Sequence, residues 1–231
     1  MFDKLKAIFK IKKEEKEGVV HEETVHHTRL ATKGLKVGSL VAIDYPMLAI
    51  EDDLAIKVVD KANKVTGISR NEERGNYINR YYLENDTFIQ LEFFGEDKAE
   101  AVSSVMIFDY DPELCEDLTD TNEDRLSYWR QVIEEDSEFK IGERVYNRVS
   151  PHVLGGLEVV ELINDELNTL ENNFAVFERN VTKTMIETVI VNVEQEVTLN
   201  DDGEVIEQGD ISVSVAIGVG IPHDSLDVSR M

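Results

Sequence analysis

The sequence predicts an α+β fold that is mainly antiparallel β-sheet, either a sandwich or a partly open barrel, with one packed helix. From Leu35 onward, short runs of alternating apolar and polar residues recur between turn residues, a pattern typical of half-buried antiparallel strands. One amphipathic segment near residues 121–135 interrupts these runs. The apolar content of 42% is enough for a core. We therefore expect a single β-rich domain over residues 35–222, followed by a tail over residues 223–231.

The first half of this domain contains six short apolar runs that predict strands: LKVGSLVAI, LAIKVVD, NKVTGIS, YINRYYL, TFIQLEFF and SSVMIFDY. Asn85 and Asp86 lie between the fourth and fifth runs and suit a two-residue hairpin turn. The Gly-Glu-Asp sequence at residues 95–97 is expected to end the next strand. The aromatic residues in these runs predict a core wall, with the wall of a ligand site as the alternative.

The helix near residues 121–135 has a recognisable start and an apolar face. Thr121 can cap it, and Asp124 follows three residues later, as in a capping box. Trp129 shares one helical face with Leu126 and Ile133, so we expect it to pack on the sheet.

The second half of the domain returns to strand patterns. FKIGERVYNRV predicts a strand pair, and VVELI, within residues 151–170, favours a strand over a helix. In ISVSVAIGVGI, at residues 211–221, β-branched residues alternate with small ones. The β-branched face is predicted to join the core. The small face is predicted to lie under a closely packed neighbour, and lining a ligand cleft is the alternative.

Composition restricts the partners and the location. The chain has 48 acidic and 24 basic residues, which argues against nucleic acid as the main partner because phosphate binding needs clustered Lys and Arg. Cys115 is the only cysteine, so no intrachain disulfide can form, and a cytoplasmic location is expected. No run of about 18 apolar residues predicts a spanning helix. Phosphate-binding, dinucleotide and nucleophile-elbow motifs are missing from the sequence, so no cofactor is predicted.

The first thirteen residues, MFDKLKAIFKIKK, differ in charge from everything that follows. They carry five lysines and one aspartate, whereas the remaining 218 residues carry 19 basic and 47 acidic side chains. At about 100° per residue, an arc of roughly 120° contains Met1, Phe2, Leu5, Ile8 and Phe9. This predicts a basic amphipathic helix over residues 1–13 and a polar tether over residues 14–34. The residues expected to bind a membrane surface or a partner are Phe2, Leu5, Ile8 and Phe9 with Lys4, Lys6, Lys10 and Lys13. Docking on the protein's own sheet or on a second copy is the alternative.

Three further features of the sequence contain residue types that can carry chemistry. Asp109 and Asp111 place two carboxylates at a predicted strand end, where they are weak candidates for holding Mg²⁺ or Ca²⁺. HEETVHH, at residues 21–27, misses the zinc motif H-E-x-x-H by one residue, or about 100° of helix rotation, and is interpreted as part of the tether. Cys115 lies in an acidic run that is expected to raise the pKa of its thiol, which makes it a poor nucleophile.

Five segments carry a resemblance to a known family: LKVGSLVAID, NRYYLENDTFIQLEF, VMIFDYDPE, the Trp129 helix leading to FKIGERVYNRV, and ISVSVAIGVGI. Their order and spacing over residues 35–221 resemble the YjfK-like family of uncharacterised bacterial cytoplasmic proteins. The resemblance implies no reaction and no catalytic residues. It does imply a context, because relatives are often encoded beside a homologue of the phage-shock membrane-stress protein and beside small membrane proteins.

The leading hypothesis is a non-enzymatic accessory protein. It would associate reversibly with the inner membrane surface, or with a membrane-stress partner, through the N-terminal helix. The alternative is a ligand-binding or cation-binding domain, or an enzyme, that uses the region of Asp109 and Asp111 and the aromatic strands. A third hypothesis is a protein-binding module that uses its acidic surface against a basic partner.

Overall fold

The computed structural model describes residues 35–56, 62–73, 76–94, 102–119, 123–162, 167–200 and 203–229. The helix predicted over residues 1–13, the tether predicted over residues 14–34 with its HEETVHH sequence, and the turn predicted at residues 95–97 lie outside these described residues.

Strands make up most of the described chain. The first half contains β1 (Leu40–Ile43), β2 (Asn63–Glu73), β3 (Asn76–Leu83), β4 (Thr87–Phe94), β5 (Val102–Tyr110) and β6 (Glu116–Asp117). The second half contains β7 (Glu138–Ile141), β8 (Arg144–Arg148), β9 (Leu154–Leu162), β10 (Leu167–Asn180), β11 (Ile186–Leu199), β12 (Val205–Gly220) and β13 (Leu226–Ser229). The helices described are α1 (Met47–Ile50) and α2 (Glu123–Glu134), with a 3₁₀ turn at His223–Ser225. The predicted antiparallel α+β fold and the helix near residues 121–135 are confirmed.

Eight of the described strands close into a ring. In the order β2, β3, β4, β5, β12, β11, β10 and β9, each pairs antiparallel with the next, and β9 pairs back with β2. We call these eight strands the strand ring. The β1–β13 pair continues the sheet from the start of β2, and the β8–β7 pair continues it from the end of β10. The predicted sandwich is not found, because the described strands belong to a single sheet.

The two faces of the ring strands bury different residues. On β12, Val213, Val215 and Val219 belong to a large apolar cluster, the main core, which also takes in α2, β1 and β13. The alternate residue Ala216 belongs to a smaller cluster, the inner cluster, formed with Phe88, Phe108, Phe174 and Ile190. The predicted core face of ISVSVAIGVGI is therefore confirmed.

The small face of β12 lies against β5 inside the ring. A Cβ atom at Gly218 would lie only 2.3 Å from Cδ1 of Phe108 and 2.7 Å from the carbonyl oxygen of Ile107. Since no side chain fits in that space, the small face is closely packed at Gly218, as predicted. At Gly220, on the same face, the nearest atom to a Cβ would lie at 4.0 Å, so the close packing does not extend to that residue.

Helix α2 is attached to the sheet by its apolar face and by its last turn. Trp129 and Val132 are buried in the main core, as predicted for Trp129. Arg148 of β8 donates hydrogen bonds to the carbonyl oxygens of Val132 (3.3 Å), Asp136 (3.0 Å) and Ile133. A cation at this position satisfies carbonyl groups that the helix itself leaves without partners and complements the helix dipole.

Three local predictions need correction. The run LAIKVVD does not form a strand over its described part, because the amides of Ala55 and Ile56 bond to the Glu187 carboxylate instead of a neighbouring strand. The hairpin between β3 and β4 has a three-residue connection, Glu84 to Asp86, and not the predicted two-residue turn. Asp86 takes a left-handed conformation with φ 61°, which is usual for the last residue of a three-residue hairpin loop.

The third correction concerns the chain end. The residues expected to form a tail, 223–231, include β13, which pairs with β1. Leu226 is fully buried in the main core, and this burial explains why the segment docks on the sheet.

Candidate functional site

An ion pair lies inside the strand ring. Arg80 of β3 and Glu158 of β9 are 3.1 Å apart, and only 7% and 3% of their surfaces are exposed. Period-two alternation turns Arg80 to the same face as Phe88 of the neighbouring strand. The guanidinium lies 5.9 Å from the centre of the Phe88 ring and 5.7 Å from that of Phe174. The guanidinium is thus almost fully buried next to two aromatic side chains.

Glu158 is also bonded to polar side chains of three further residues. It accepts hydrogen bonds from Asn172 Nδ2 (2.7 Å), Tyr82 Oη (3.5 Å) and Ser69 Oγ. Buried carboxylates are tolerated when their lone pairs are satisfied in this way. Burial raises the pKa of Tyr82, and the charge of Glu158 raises it further, so this phenol stays protonated and able to donate.

The network continues along β11 to a second carboxylate. Asn192 Nδ2 donates to Asn172 Oδ1 and to Glu194 Oε1, both at 2.9 Å, and Ser214 Oγ donates to Glu194 Oε1 at 2.5 Å. Burial raises the pKa of Glu194, although the bonds from Ser214 and Asn192 lower it in part. The Asn192 Oδ1 atom is buried without a hydrogen-bond partner among the described residues. The ring interior therefore contains a connected polar network in addition to the inner cluster.

A cavity of about 200 Å³ opens at one end of the ring, with Arg80 in its wall. Its polar lining consists of Arg80, Gln90, Glu92, Glu178 and Thr188. Gln90 accepts a hydrogen bond from Arg80 Nε (3.1 Å) and donates one to Glu92 Oε1 (3.0 Å). Its main apolar lining consists of Ile78, Met106, Phe108, Phe174, Val176 and Ile190. Such a mixture of apolar walls and a few oriented polar groups is typical of small-molecule sites.

A second buried carboxylate network lies on the opposite face of the sheet. Glu187 is fully buried and accepts hydrogen bonds from the amides of Ala55 (2.6 Å) and Ile56 (3.3 Å). It also accepts bonds from Tyr146 Oη and Arg179 Nε, both at 2.8 Å. Since these partners include the backbone of residues 55 and 56, this network fixes the segment before β2 to the sheet.

A wider groove of about 400 Å³ lies between α2 and strands β10 to β12. Its charged residues Arg130 and Glu134 are exposed and Glu171 is half-buried. None of these charged side chains is buried, whereas the cavity in the ring has the buried Arg80 in its wall.

The predicted site residues fall in several places. Phe2, Leu5, Ile8, Phe9, Lys4, Lys6, Lys10 and Lys13 lie outside the described residues. Asp109 pairs in register with Thr87 and Ile217. Its neighbours Phe108 and Tyr110 face the inner cluster, so Asp109 lies on the opposite face of the strand. Asp111 forms a turn, in which its Oδ1 accepts from the amide of Glu113 at 2.9 Å. Over the described part of the chain, no group of three or more His, Cys, Asp and Glu residues is placed to hold a metal ion.

Cys115 has a thiol that the fold makes unreactive. Burial raises its pKa to about 12, and the charges of Glu194 and Asp111 raise it by smaller amounts, while a hydrogen bond with the backbone of Val215 lowers it. The acidic neighbours expected from the sequence thus contribute less than burial does.

Sequence reasoning missed the polar residues of the ring interior. Arg80, Gln90 and Glu158 stand inside strand patterns, each on the same strand face as an apolar or aromatic residue: Tyr82 for Arg80, Phe88 for Gln90 and Val160 for Glu158. A charged residue on the apolar face of a predicted strand was the available signal. That signal does not show which residue of a distant strand, such as Glu158 of β9, lies next to Arg80 of β3.

A known family matches most of this chain. The family described as "Protein of unknown function (DUF2491)" matches residues 8–227. The chain belongs to this family. Searches of the curated proteins and of the solved structures found no match. Within the described residues, none of the helices has the length and apolar character needed to cross a membrane.

Proposed function

We propose that this protein is a non-enzymatic accessory factor that binds reversibly to an anionic membrane surface through residues 1–13. The observation that carries the proposal is the charge contrast in the sequence: five lysines and one aspartate in MFDKLKAIFKIKK, against 19 basic and 47 acidic residues in the rest. By binding the inner membrane surface, such a factor would bring its β-domain close to a membrane-stress partner.

The binding would combine two modest contributions. Phe2, Leu5, Ile8 and Phe9 would bury apolar surface at the lipid boundary. Each of the lysines beside them contributes about 1 kcal/mol near an anionic surface. An anchor of this kind is reversible, because it is short and carries no spanning segment.

The acidic body explains the use of a tether. A surface that attracts the N-terminal lysines repels a domain with an acidic excess. Residues 14–34 can span up to about 70 Å when extended, which exceeds the Debye length of about 8 Å at physiological salt. The body can therefore stay outside the region of strong repulsion while the anchor is bound.

The test is co-sedimentation of the full chain with phosphatidylcholine vesicles, with and without phosphatidylglycerol. The protein should bind only the anionic vesicles, and added salt should weaken binding. The triple change Lys4→Gln, Lys6→Gln and Lys10→Gln should reduce affinity by about 3 kcal/mol, or roughly 100-fold.

The matched control is a chain whose first thirteen residues are scrambled, because it keeps the charge and composition but loses the apolar arc. The proposal predicts weaker binding for this variant than for the natural sequence. Equal binding of the scrambled chain, or no binding of the natural chain, would refute a membrane-binding helix.

A further inference from the structure

We propose that the cavity at the end of the strand ring binds a small organic cation that has an apolar portion. The cavity has the two parts that such a ligand needs, carboxylates in its wall and an aromatic and aliphatic lining. This inference goes beyond the proposed membrane function and does not depend on it.

The charge of the lining favours a cation. Arg80 is the one basic side chain in the described lining, and its charge is already matched by Glu158 at 3.1 Å. Glu92 and Glu178 add two half-buried carboxylates to the wall. Neither of them takes part in an ion pair among the described residues. An anionic ligand would therefore meet two negative charges and no unpaired positive charge.

The side chains around these carboxylates favour an organic cation over a metal ion. Met106, Phe108, Phe174 and Ile190 supply apolar surface, which offers poor ligands for a hard cation such as Mg²⁺. Aromatic faces attract ammonium groups, most strongly where water is excluded. The same cavity already holds the guanidinium of Arg80 at 5.7 Å from the Phe174 ring centre.

The size of the cavity limits the ligand. Its volume of about 200 Å³ is below the roughly 300–1,000 Å³ that is usual for drug-sized ligands. A primary or quaternary ammonium with a short alkyl or aryl group fits this limit.

The test uses three probes of equal chain length with different charge: hexylammonium, 1-hexanol and hexanoate. Their binding to the full chain is measured by isothermal titration calorimetry at low salt. Hexylammonium should bind most tightly, and hexanoate should bind at least about tenfold more weakly. Equal or tighter binding of hexanoate would overturn the assignment of a cation, and binding of none of the probes would overturn the site itself.

Two variants locate the binding. The double change Glu92→Gln and Glu178→Gln should weaken hexylammonium binding at least about tenfold and leave hexanol binding unchanged. The matched control is Glu143→Gln with Glu207→Gln, which removes two exposed carboxylates and should have no effect on either probe. Equal losses in the two double variants would show only a general charge effect and would overturn the site.

Filling the cavity gives an independent check. Val176 lines the cavity and is half-buried, so Val176→Trp should abolish binding of hexylammonium and hexanol alike. Far-UV circular dichroism reports whether this variant folds. A folded Val176→Trp chain that still binds hexylammonium would overturn the location, and the carboxylate variants decide the question if the tryptophan variant does not fold.

Discussion

Glu158 and Glu187 are two buried carboxylates made from the same parts on opposite faces of one sheet. Each is bonded to an arginine and a tyrosine, Arg80 and Tyr82 for Glu158, and Arg179 and Tyr146 for Glu187. Glu158 is 3% exposed and Glu187 is fully buried. Their remaining partners are what distinguish them.

Glu187 completes its bonds with backbone amides, whereas Glu158 completes its bonds with side chains alone. The amides belong to residues 55 and 56, a segment without strand structure. The partners of Glu158 are residues of the ring strands, and its arginine lines a cavity. A buried ion pair can therefore have either of two structural roles. The Glu187 pair attaches a chain segment, because backbone amides lie beside it, and the Glu158 pair forms part of a cavity wall, because empty space lies beside it.

The largest effect on stability is expected for the Glu187 network. Glu187→Ala leaves Arg179 Nε, Tyr146 Oη and two backbone amides without their acceptor, so the free energy of unfolding should fall by about 3–5 kcal/mol. The guanidinium keeps its ion pair with Asp53 at 2.7 Å, so the loss comes from the unsatisfied donors. Urea unfolding followed by circular dichroism measures it. The exposed control Glu207→Ala should stay within about 0.5 kcal/mol of the natural chain. A loss below about 1 kcal/mol for Glu187→Ala would mean that this network does not hold the segment.

A smaller loss, about 2–3 kcal/mol, is expected for Glu158→Ala in the same assay. Arg80 would be left unpaired, but it lines a cavity through which water can reach it. The double variant Arg80→Met with Glu158→Leu removes both charges and should recover at least about 1 kcal/mol. A loss as large as that of Glu187→Ala would remove the distinction between the two networks.

The packing of the ring interior is tested by two glycines of β12. Gly218→Ala places a methyl group against Phe108 and should cost about 1–3 kcal/mol of unfolding free energy. Gly220→Ala is the matched control, since its nearest atom would lie at 4.0 Å, and it should change stability by less than about 0.5 kcal/mol. Equal effects of the two changes would contradict close contact between β12 and Phe108.

The smallest effect is a pH dependence from Glu194. Burial raises the pKa of Glu194 above its ordinary value of 4.5, so the folded state binds this proton more tightly than the unfolded state. Its stabilising contribution is present below that value and is lost as the pH rises through the raised pKa. The difference in unfolding free energy between Glu194→Gln and the natural chain should therefore shift in favour of the variant as the pH rises above 4.5. The exposed control Glu207→Gln should show no such shift, and a flat difference for Glu194→Gln would contradict the burial of its charge.

Much of the fold could be predicted because it depends on local periodicity. The strand runs around Tyr81, Ile89 and Ile107, the helix with Trp129, and the β-branched face of β12 follow from strand alternation and helical periodicity within a few residues. The prediction was wrong for LAIKVVD, where the amides of Ala55 and Ile56 bond to a carboxylate more than 130 residues away. No local pattern contains that partner.

The candidate site could be predicted less well than the fold. A charged residue such as Arg80 within an apolar run signals something unusual on that face, but the sequence does not show that Glu158 will lie 3.1 Å from it. The carboxylates at Asp109 and Asp111 drew attention because they are close in sequence. Those of Glu92 and Glu178 line one cavity although 85 residues separate them, since β4 and β10 are both ring strands.

The sequence by itself determined the alternation of the strands, the place of the helix, the acidic body and the contrasting charge of residues 1–13. These features depend on residue type and spacing within short windows, where periodicities of 2 and 3.6 residues have a direct physical meaning. Only the tertiary structure decided that the strands close into a ring, that its interior holds the Arg80–Glu158 pair, and that a cavity opens beside that pair. Ring closure joins β2 to β9 across about 90 residues of chain, and contacts at that separation are set by the packing of the whole sheet.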